Sequence, residues 1–463
     1  MNEYKDKKKI LICITNGWAV RNFVHTGIVN NLNKNYEVSI CTTPRLYEFF
    51  LDLKDKKSIN GVFLIQDNEN YFWKRLRQLK KLILQSNFQV STAILKSQYS
   101  MPFNFMSPMI KIFWQLLGLF SSNKFIYLIE RFEKAYRSRS LTADEKLFDL
   151  LVLGEPFDPR ELQMQRSFDK ESIKTISIVQ SWDNTSTKGR ILSCASKILV
   201  WGDYQKDEVI KFYPEFDKDN VIPVGLPQFE IYKRNTEKNY FEKRKFFLEN
   251  LSISYRKKII LFATGAEKIG GLNEPKICEF IAEELNNRLK NLNCHLLIRL
   301  HPADKSIRYK NLIDNASVTI CEASIPSNQI LQDWLPPQEE LSKLMNFLKY
   351  SDVSINTAST MTLDSMAMNT PVVNIGFDML ETHNRLSCKR FYKYHHWLPL
   401  IESDALNIAT SPEDLIEMIA VSINRPSSKR KEINHVLNKV CNINGPGAIS
   451  EIEKIIKNEI PYE

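Results

Sequence analysis

His301 follows the apolar run CHLLIRL (294–300) and precedes Pro302; about sixty residues later, Ser359 and Thr360 follow the run DVSIN (352–356). An imidazole can donate to a phosphate or assist a leaving group near neutral pH. Two adjacent hydroxyls can add donors to the same oxygens. Arg299 adds a positive charge two residues before the histidine. If a helix begins near Thr360, its unpaired N–H groups and the positive end of its dipole favour an anion. Asp364, on that same helix, could accept hydrogen bonds from a ribose. Each feature also has a plainer reading: Ser359 or Thr360 caps a helix, and His301 caps a turn. What favours a phosphate site is their position at the ends of two strand-like runs, because parallel sheets bind ligands at the C-terminal ends of their strands. The turn after KKIILFAT, Gly265-Ala266-Glu267-Lys268, is a weaker candidate. Its small residues would let a ligand approach, and Lys268 could neutralise a diphosphate.

The first half of the chain offers a different set. QSWDNTSTKGRI (180–191) is dense in polar groups, with Trp182 as a stacking platform and Asp183, Asn184 and Lys188 able to reach a crevice. A turn with an N-cap is the alternative. Asn16-Gly17 and His25 lie near the end of the first apolar run, and Glu155 follows DLLVLG (149–154). Asp183, His25 or Glu155 could supply a base for a substrate hydroxyl.

These residues need strands to hold them. KKKILICIT (7–15), EVSICTT (37–43), GVFLIQ (61–66), DLLVLG, KTISIVQ (174–180) and KILVWG (197–202) are short apolar runs separated by helical stretches, and NVIPVG (220–225) is a shorter one. Continuous apolar strands alternating with helices predict an α/β fold with parallel sheets covered on both faces. The pattern restarts at KKIILFAT and continues through CHLLIRL, SVTIC (317–321), DVSIN and PVVNIG (371–376). Two Rossmann-like domains follow: residues 1–235 with a helical insertion at about 70–145, a linker at 236–256 whose charged stretch reads as linker and helix, a second domain at 257–440, and a C-terminal helix at 441–463 packing back. In the insertion, Phe72, Leu76, Leu79 and Ile83 share a helical face beside Lys74, Arg75, Arg77, Lys80 and Lys81. That pattern predicts either a solvated covering helix or a basic surface helix that touches anionic lipid.

The chain has 463 residues, 43% of them hydrophobic and 25% charged, which excludes a disordered, collagenous or coiled-coil molecule. Its net charge of +9 suits anionic ligands or an anionic membrane surface; it is too diffuse to indicate nucleic acid, and none is expected. None of the eight cysteines forms a CxxC pair, so no metal site is signalled, and several sit in apolar runs as reduced core residues. The apolar run at 10–14 is too short for a signal-peptide core, and the run at 103–120, broken by Pro108 and Lys111, is too short to span a bilayer. A cytoplasmic protein, at most peripheral on the inner face of a membrane, is expected. Walker A, HExxH, GxSxG and GxGxxG patterns do not stand out, and 14 glycines are few for a nicotinamide or flavin enzyme.

With these residues in view, a family resemblance emerges. VWGDYQKDEVIKFYPEFDKDNVIPVGLPQFEIY (200–232) looks like the end of the acceptor domain in GT-B glycosyltransferases, and SWDNTSTKG resembles a stretch of bacterial surface-carbohydrate transferases of that fold. RLHP and NTASTMTLD resemble the HP and SS/ST motifs of bacterial sialyltransferases, Kdo transferases and teichoic-acid glycerophosphotransferases. The strand–turn–helix near PVVNIG resembles UDP-N-acetylglucosamine 2-epimerase. The resemblance implies that His301, Ser359 and Thr360 hold donor phosphate. The acid-containing motif of the sialyltransferases has no clear match, GEPFD (154–158) being only loosely similar, and Thr357 stands where the teichoic-acid enzymes usually carry an acid.

The function expected is a metal-independent GT-B glycosyltransferase for surface polysaccharide (capsule, O-antigen or lipopolysaccharide), with a nucleotide-sugar co-substrate and no cofactor. Its domains would face a cleft. Gly265, Lys268, Arg299, His301, Ser359, Thr360 and Asp364 would bind the UDP- or CMP-sugar donor. Asn16, Gly17, Trp182, Asn184 and Lys188 would bind a saccharide or lipid-linked acceptor. Rival readings are a CDP-glycerol-type phosphotransferase, a 2-epimerase-like isomerase and a non-catalytic scaffold.

Overall fold

The computed structural model describes residues 7–65, 71–72, 75–76, 92, 112, 116, 145–188, 191, 195–213, 216–234, 239–267, 270–323, 335–382 and 386–460. Most of the proposed insertion, with its basic helix and the run at 103–120, lies outside these residues. The chain forms two compact units, one of residues 1–227 and 439–463, the other of residues 228–438.

Unit 1 is built on seven parallel strands: β1 (Lys9–Ile14), β2 (Glu37–Thr42), β3 (Gly61–Leu64), β4 (Leu150–Leu153), β5 (Lys174–Ile178), β6 (Lys197–Val200) and β7 (Val221–Pro223). They lie in the order β3-β2-β1-β4-β5-β6-β7. Central strands such as β1 and β4 are buried on both faces, so an unbroken apolar sequence is what they require. Leu11, Cys13, Leu151 and Leu153 pack against Met164 and Phe168 of the Pro159–Lys170 helix. Burying a side chain of this size is worth about 1.5–3 kcal/mol. The Ala448–Glu459 helix belongs to this unit, with Glu459 paired to Lys174 at 3.2 Å.

Unit 2 has six parallel strands: β8 (Lys258–Ala263), β9 (Cys294–Arg299), β10 (Val318–Cys321), β11 (Val353–Asn356), β12 (Val372–Ile375) and β13 (Ile408–Ala409). Their order is β10-β9-β8-β11-β12-β13. The expected boundary at 235 differs from what is seen, while the helix expected within the charged stretch at 236–256 is present. The division falls at Pro227/Gln228, and Tyr240–Asn250 is a helix of unit 2 that buries Leu248 beside Ile259 and Leu261. The charged surface of that helix hid its single buried position.

In both sheets the strand order reverses beside the first strand. The reversal lies between β1 and β4 in unit 1 and between β8 and β11 in unit 2. In parallel sheets such a reversal is the place where adjacent loops diverge to opposite faces and ligands bind beyond the strand ends.

Candidate functional site

Register decides what meets at the unit 2 reversal. Ala263 of β8 pairs with Arg299 of β9 on one side and with Asn356 of β11 on the other. The loops carrying Gly265, His301 and Ser359–Thr360 therefore leave three adjacent strands at one level. They are also bonded together. The Thr264 N–H donates to the Arg299 carbonyl at 3.0 Å, and the His301 N–H donates to Thr264 Oγ1 at 2.9 Å.

The Ala303 N–H donates to His301 Nδ1 at 3.0 Å, which leaves Nε2 to carry the proton of the neutral ring. Burial, and next the Arg299 charge, push the imidazole pKa down to about 4. His301 is thus a neutral donor through Nε2 at physiological pH. Arg299 does not supply the free charge expected of it: its guanidinium is paired with Glu340, both nearly buried, and lies 5.7 Å from the Phe347 ring centre.

The loop after β11 is tightly specified. The Ser359 N–H donates to Asn356 Oδ1 at 3.0 Å, and Ser359 Oγ accepts from the Met361 N–H at 3.3 Å. Ser359 is thereby a cap of the Met361–Ala367 helix, only seven residues long. Thr360 is exposed at its start with no side-chain capping bond. Between strand and cap, Ala358 takes a left-handed φ of 45°, which costs a non-glycine residue about 1–3 kcal/mol. The Tyr392 hydroxyl, which donates to the Ile375 carbonyl at 2.8 Å, braces the Ala358 backbone. Asp364 is not turned toward a ligand. It is buried and accepts from Gln228 Nε2 at 2.6 Å and the Tyr232 hydroxyl at 3.0 Å, which fasten the Pro227–Arg234 helix. Lys268 lies outside the described residues.

Sequence reasoning missed Glu274, the first residue of the Glu274–Glu284 helix. Fully buried, it accepts the Gly265 N–H through Oε2 at 2.8 Å. Gly271 must be glycine for this arrangement: a Cβ there would lie 2.7 Å from the Gly265 carbonyl and 2.9 Å from Glu274 Oε2.

At the unit 1 reversal, Asn16 Nδ2 donates to Glu155 Oε2 at 3.4 Å, and Lys188 Nζ pairs with the same oxygen at 2.8 Å. Glu155 Oε1 is buried with no hydrogen bond. Burial raises the Glu155 pKa, while Lys188 and Asn16 pull it back. Glu161, also missed, underpins the group: it accepts the Thr15 hydroxyl at 3.2 Å and the Glu155 N–H at 2.7 Å, and burial holds its own pKa well above the usual range. Gly17 begins the turn that Asn16 caps, with Asn16 Oδ1 accepting the Ala19 N–H. Arg21 stacks over Trp18 in the next turn, 4.9 Å from the ring centre.

Other expectations for unit 1 are corrected. Trp182 is 4% exposed, which removes it as a stacking platform. Asp183 is a turn residue, accepting from Ser181 at 2.6 Å and Thr187 at 2.7 Å. Asn184 is buried. His25 ends a π-helical segment (Val20–His25) and meets the Phe49 ring edge-on at 6.4 Å. Lys188 is held by Glu155. Among the described residues, no three His, Cys, Asp or Glu gather as metal ligands, and no helix is long and apolar enough to cross a membrane.

No protein-family model matches the chain, and no curated protein matches its sequence. Solved structures do share its architecture. UDP-GlcNAc 2-epimerase from Neisseria meningitidis, bound to UDP-GlcNAc, is 13% identical with a TM-score of 0.51, over 97% of this chain and 100% of that one. A putative UDP-N-acetylglucosamine 2-epimerase from Listeria monocytogenes is 13% identical with a TM-score of 0.52, over 98% and 96%. A glycosyltransferase from Rickettsia africae ESF-5 is 12% identical with a TM-score of 0.50, over 99% and 100%. At these identities the likeness is one of fold. Two Rossmann-like units with parallel sheets are the GT-B fold, and the chain has it.

Proposed function

We propose that the protein is a glycosyltransferase that takes a sugar from a nucleotide-activated donor to a saccharide acceptor in surface-polysaccharide synthesis. Unit 2 binds the donor. Supporting this is the level pairing of Ala263 with Arg299 and Asn356, which brings the His301 loop and the Ser359–Thr360 loop to either side of one strand end. His301 Nε2–H and the Thr360 hydroxyl donate to the departing phosphate, charge-assisted bonds each worth about 1.5–3 kcal/mol. Unit 1 binds the acceptor, and Glu155 is the base that takes the proton of the attacking hydroxyl. Its unbonded, buried Oε1 and raised pKa suit that task.

The test has two parts. A thermal-shift panel of UDP, CDP, CMP and GDP should give one selective stabiliser, since a ligand at about 100 times its Kd adds about 2.7 kcal/mol. Incubating the matching nucleotide sugar with acceptor glycans should then release free nucleotide and extend the glycan. Isomerised donor formed without acceptor would replace the transferase reading with an isomerase, and transfer of a polyol phosphate would replace it with a phosphotransferase.

A further inference from the structure

We infer that Glu274 is a positioning residue whose proton sets how well unit 2 holds a nucleotide's phosphate, so that donor binding takes up a proton. The inference rests on the donor reading of unit 2. Glu274 is one side chain facing both sides of the strand reversal. Oε2 holds the Gly265 N–H of the loop after β8. Oε1 is buried, and the Thr357 hydroxyl of the loop after β11, itself buried, stands beside the carboxyl group. Either form of the carboxyl group can bond that hydroxyl, donating to it when protonated and accepting from it when ionised; the ionised form also leaves a buried negative charge beneath the two loops, which opposes an anionic phosphate on them.

The surroundings single out this group. Arg308 reaches over from the Ser306–Leu312 turn, donating to the Gly271 carbonyl at 2.6 Å while paired with Asp304 at 2.5 Å, so its charge is already balanced. The Asp304 N–H in turn donates to the His301 carbonyl at 2.8 Å, which links this cluster to the His301 loop. The other titratable groups around Glu274 are Cys278 on its own helix, Tyr309 on the Arg308 turn and Cys388 beyond β12. Burial keeps all three protonated. Burial raises the Glu274 pKa to about 7, against the help of the Gly265 and Thr357 bonds, while His301 stays neutral throughout the range.

UDP-N-acetylglucosamine and CDP-glycerol are phosphodiesters with no phosphate that titrates near neutrality, which makes them clean ligands for calorimetry. With wild type, affinity for whichever binds should fall about tenfold from pH 6 to pH 8. Titrations at pH 7 in buffers of different ionisation enthalpy should show uptake of about half a proton. Glu274→Gln imitates the protonated carboxyl, its carbonyl accepting from Gly265 and its amide donating to Thr357, and should bind equally well at both pH values. Wild-type affinity flat with pH and no proton uptake would overturn the inference and leave the donor reading standing. Where CMP or GDP is the stabilising nucleotide, its nucleotide sugar takes their place in the titration; stabilisation by none of the four nucleotides together with binding of neither ligand at either pH would overturn both. The proton count is read on wild type, so it stands even if the variant fails to fold.

Discussion

In the proposed transferase His301 and Glu155 carry the chemistry, and their surroundings fix what each can do. A histidine whose pKa lies near 4 stays neutral across the physiological range, so it acts as a hydrogen-bond donor. His301→Ala should lower kcat/KM by tenfold or more while the melting temperature of the free protein moves little, and His301→Gln, which keeps an N–H donor, should recover part of the loss. Glu155 faces the opposite demand. Its raised pKa makes it a better proton acceptor than an ordinary surface carboxylate, and Lys188 keeps it ionised enough to act. Glu155→Gln should cut kcat by about 10²–10⁴ without weakening nucleotide binding. In wild type the rising limb of kcat against pH should lie above the usual carboxylate range, and Lys188→Met should move it higher still. Pre-steady-state rates and calorimetric Kd values separate these outcomes from a general loss of structure.

At the scale of elements, the Pro227–Arg234 helix and the Met361–Ala367 helix are joined through Asp364. Asp364→Ala would leave Gln228 and Tyr232 buried without that acceptor, and unfolding by urea should show a loss of about 1–3 kcal/mol. Because the carboxylate is spent on that helix, nucleotide affinity should change much less than stability; a loss of binding without a loss of stability would return Asp364 to the ribose. The strands themselves were readable in the sequence, since a strand buried on both faces carries a continuous apolar run: β4 is apolar throughout, and β1 and β8 are after their first residue. The order of the His301 and Ser359–Thr360 loops was readable for the same reason. What could not be read was which acids would be buried. Glu161 and Glu274 each look like the first-turn acid that many helices carry, and only packing between strands far apart in the chain encloses them. Trp182 shows the converse, an aromatic in a polar loop that turns inward to fill the core.

For the whole molecule, buried carboxyl groups in both units bias stability toward acid pH. A carboxyl whose pKa is higher folded than unfolded binds more protons in the native state, so its contribution is complete below the unfolded value and disappears as pH rises through the folded one. For Glu274 that window runs from 4.5 to about 7, and the contribution lost across it is ~3 kcal/mol. Glu161 pushes in the same direction in unit 1. The two units have separate cores, so their contributions can be read apart. His295 and His301, whose pKa values burial lowers to about 4, push the other way below pH 6.5, so chemical denaturation of wild type at intervals from pH 5 to pH 8 reads the balance of these groups as the slope of its midpoint with pH. Glu274→Gln should flatten the part of this slope that a bound nucleotide shifts, and Glu161→Gln the part that it does not. If wild type and Glu274→Gln instead showed the same slope from pH 5 to pH 7, Glu274 would have to be ionised in the folded protein, and unit 2 would lack the neutral floor on which proton-linked phosphate binding depends.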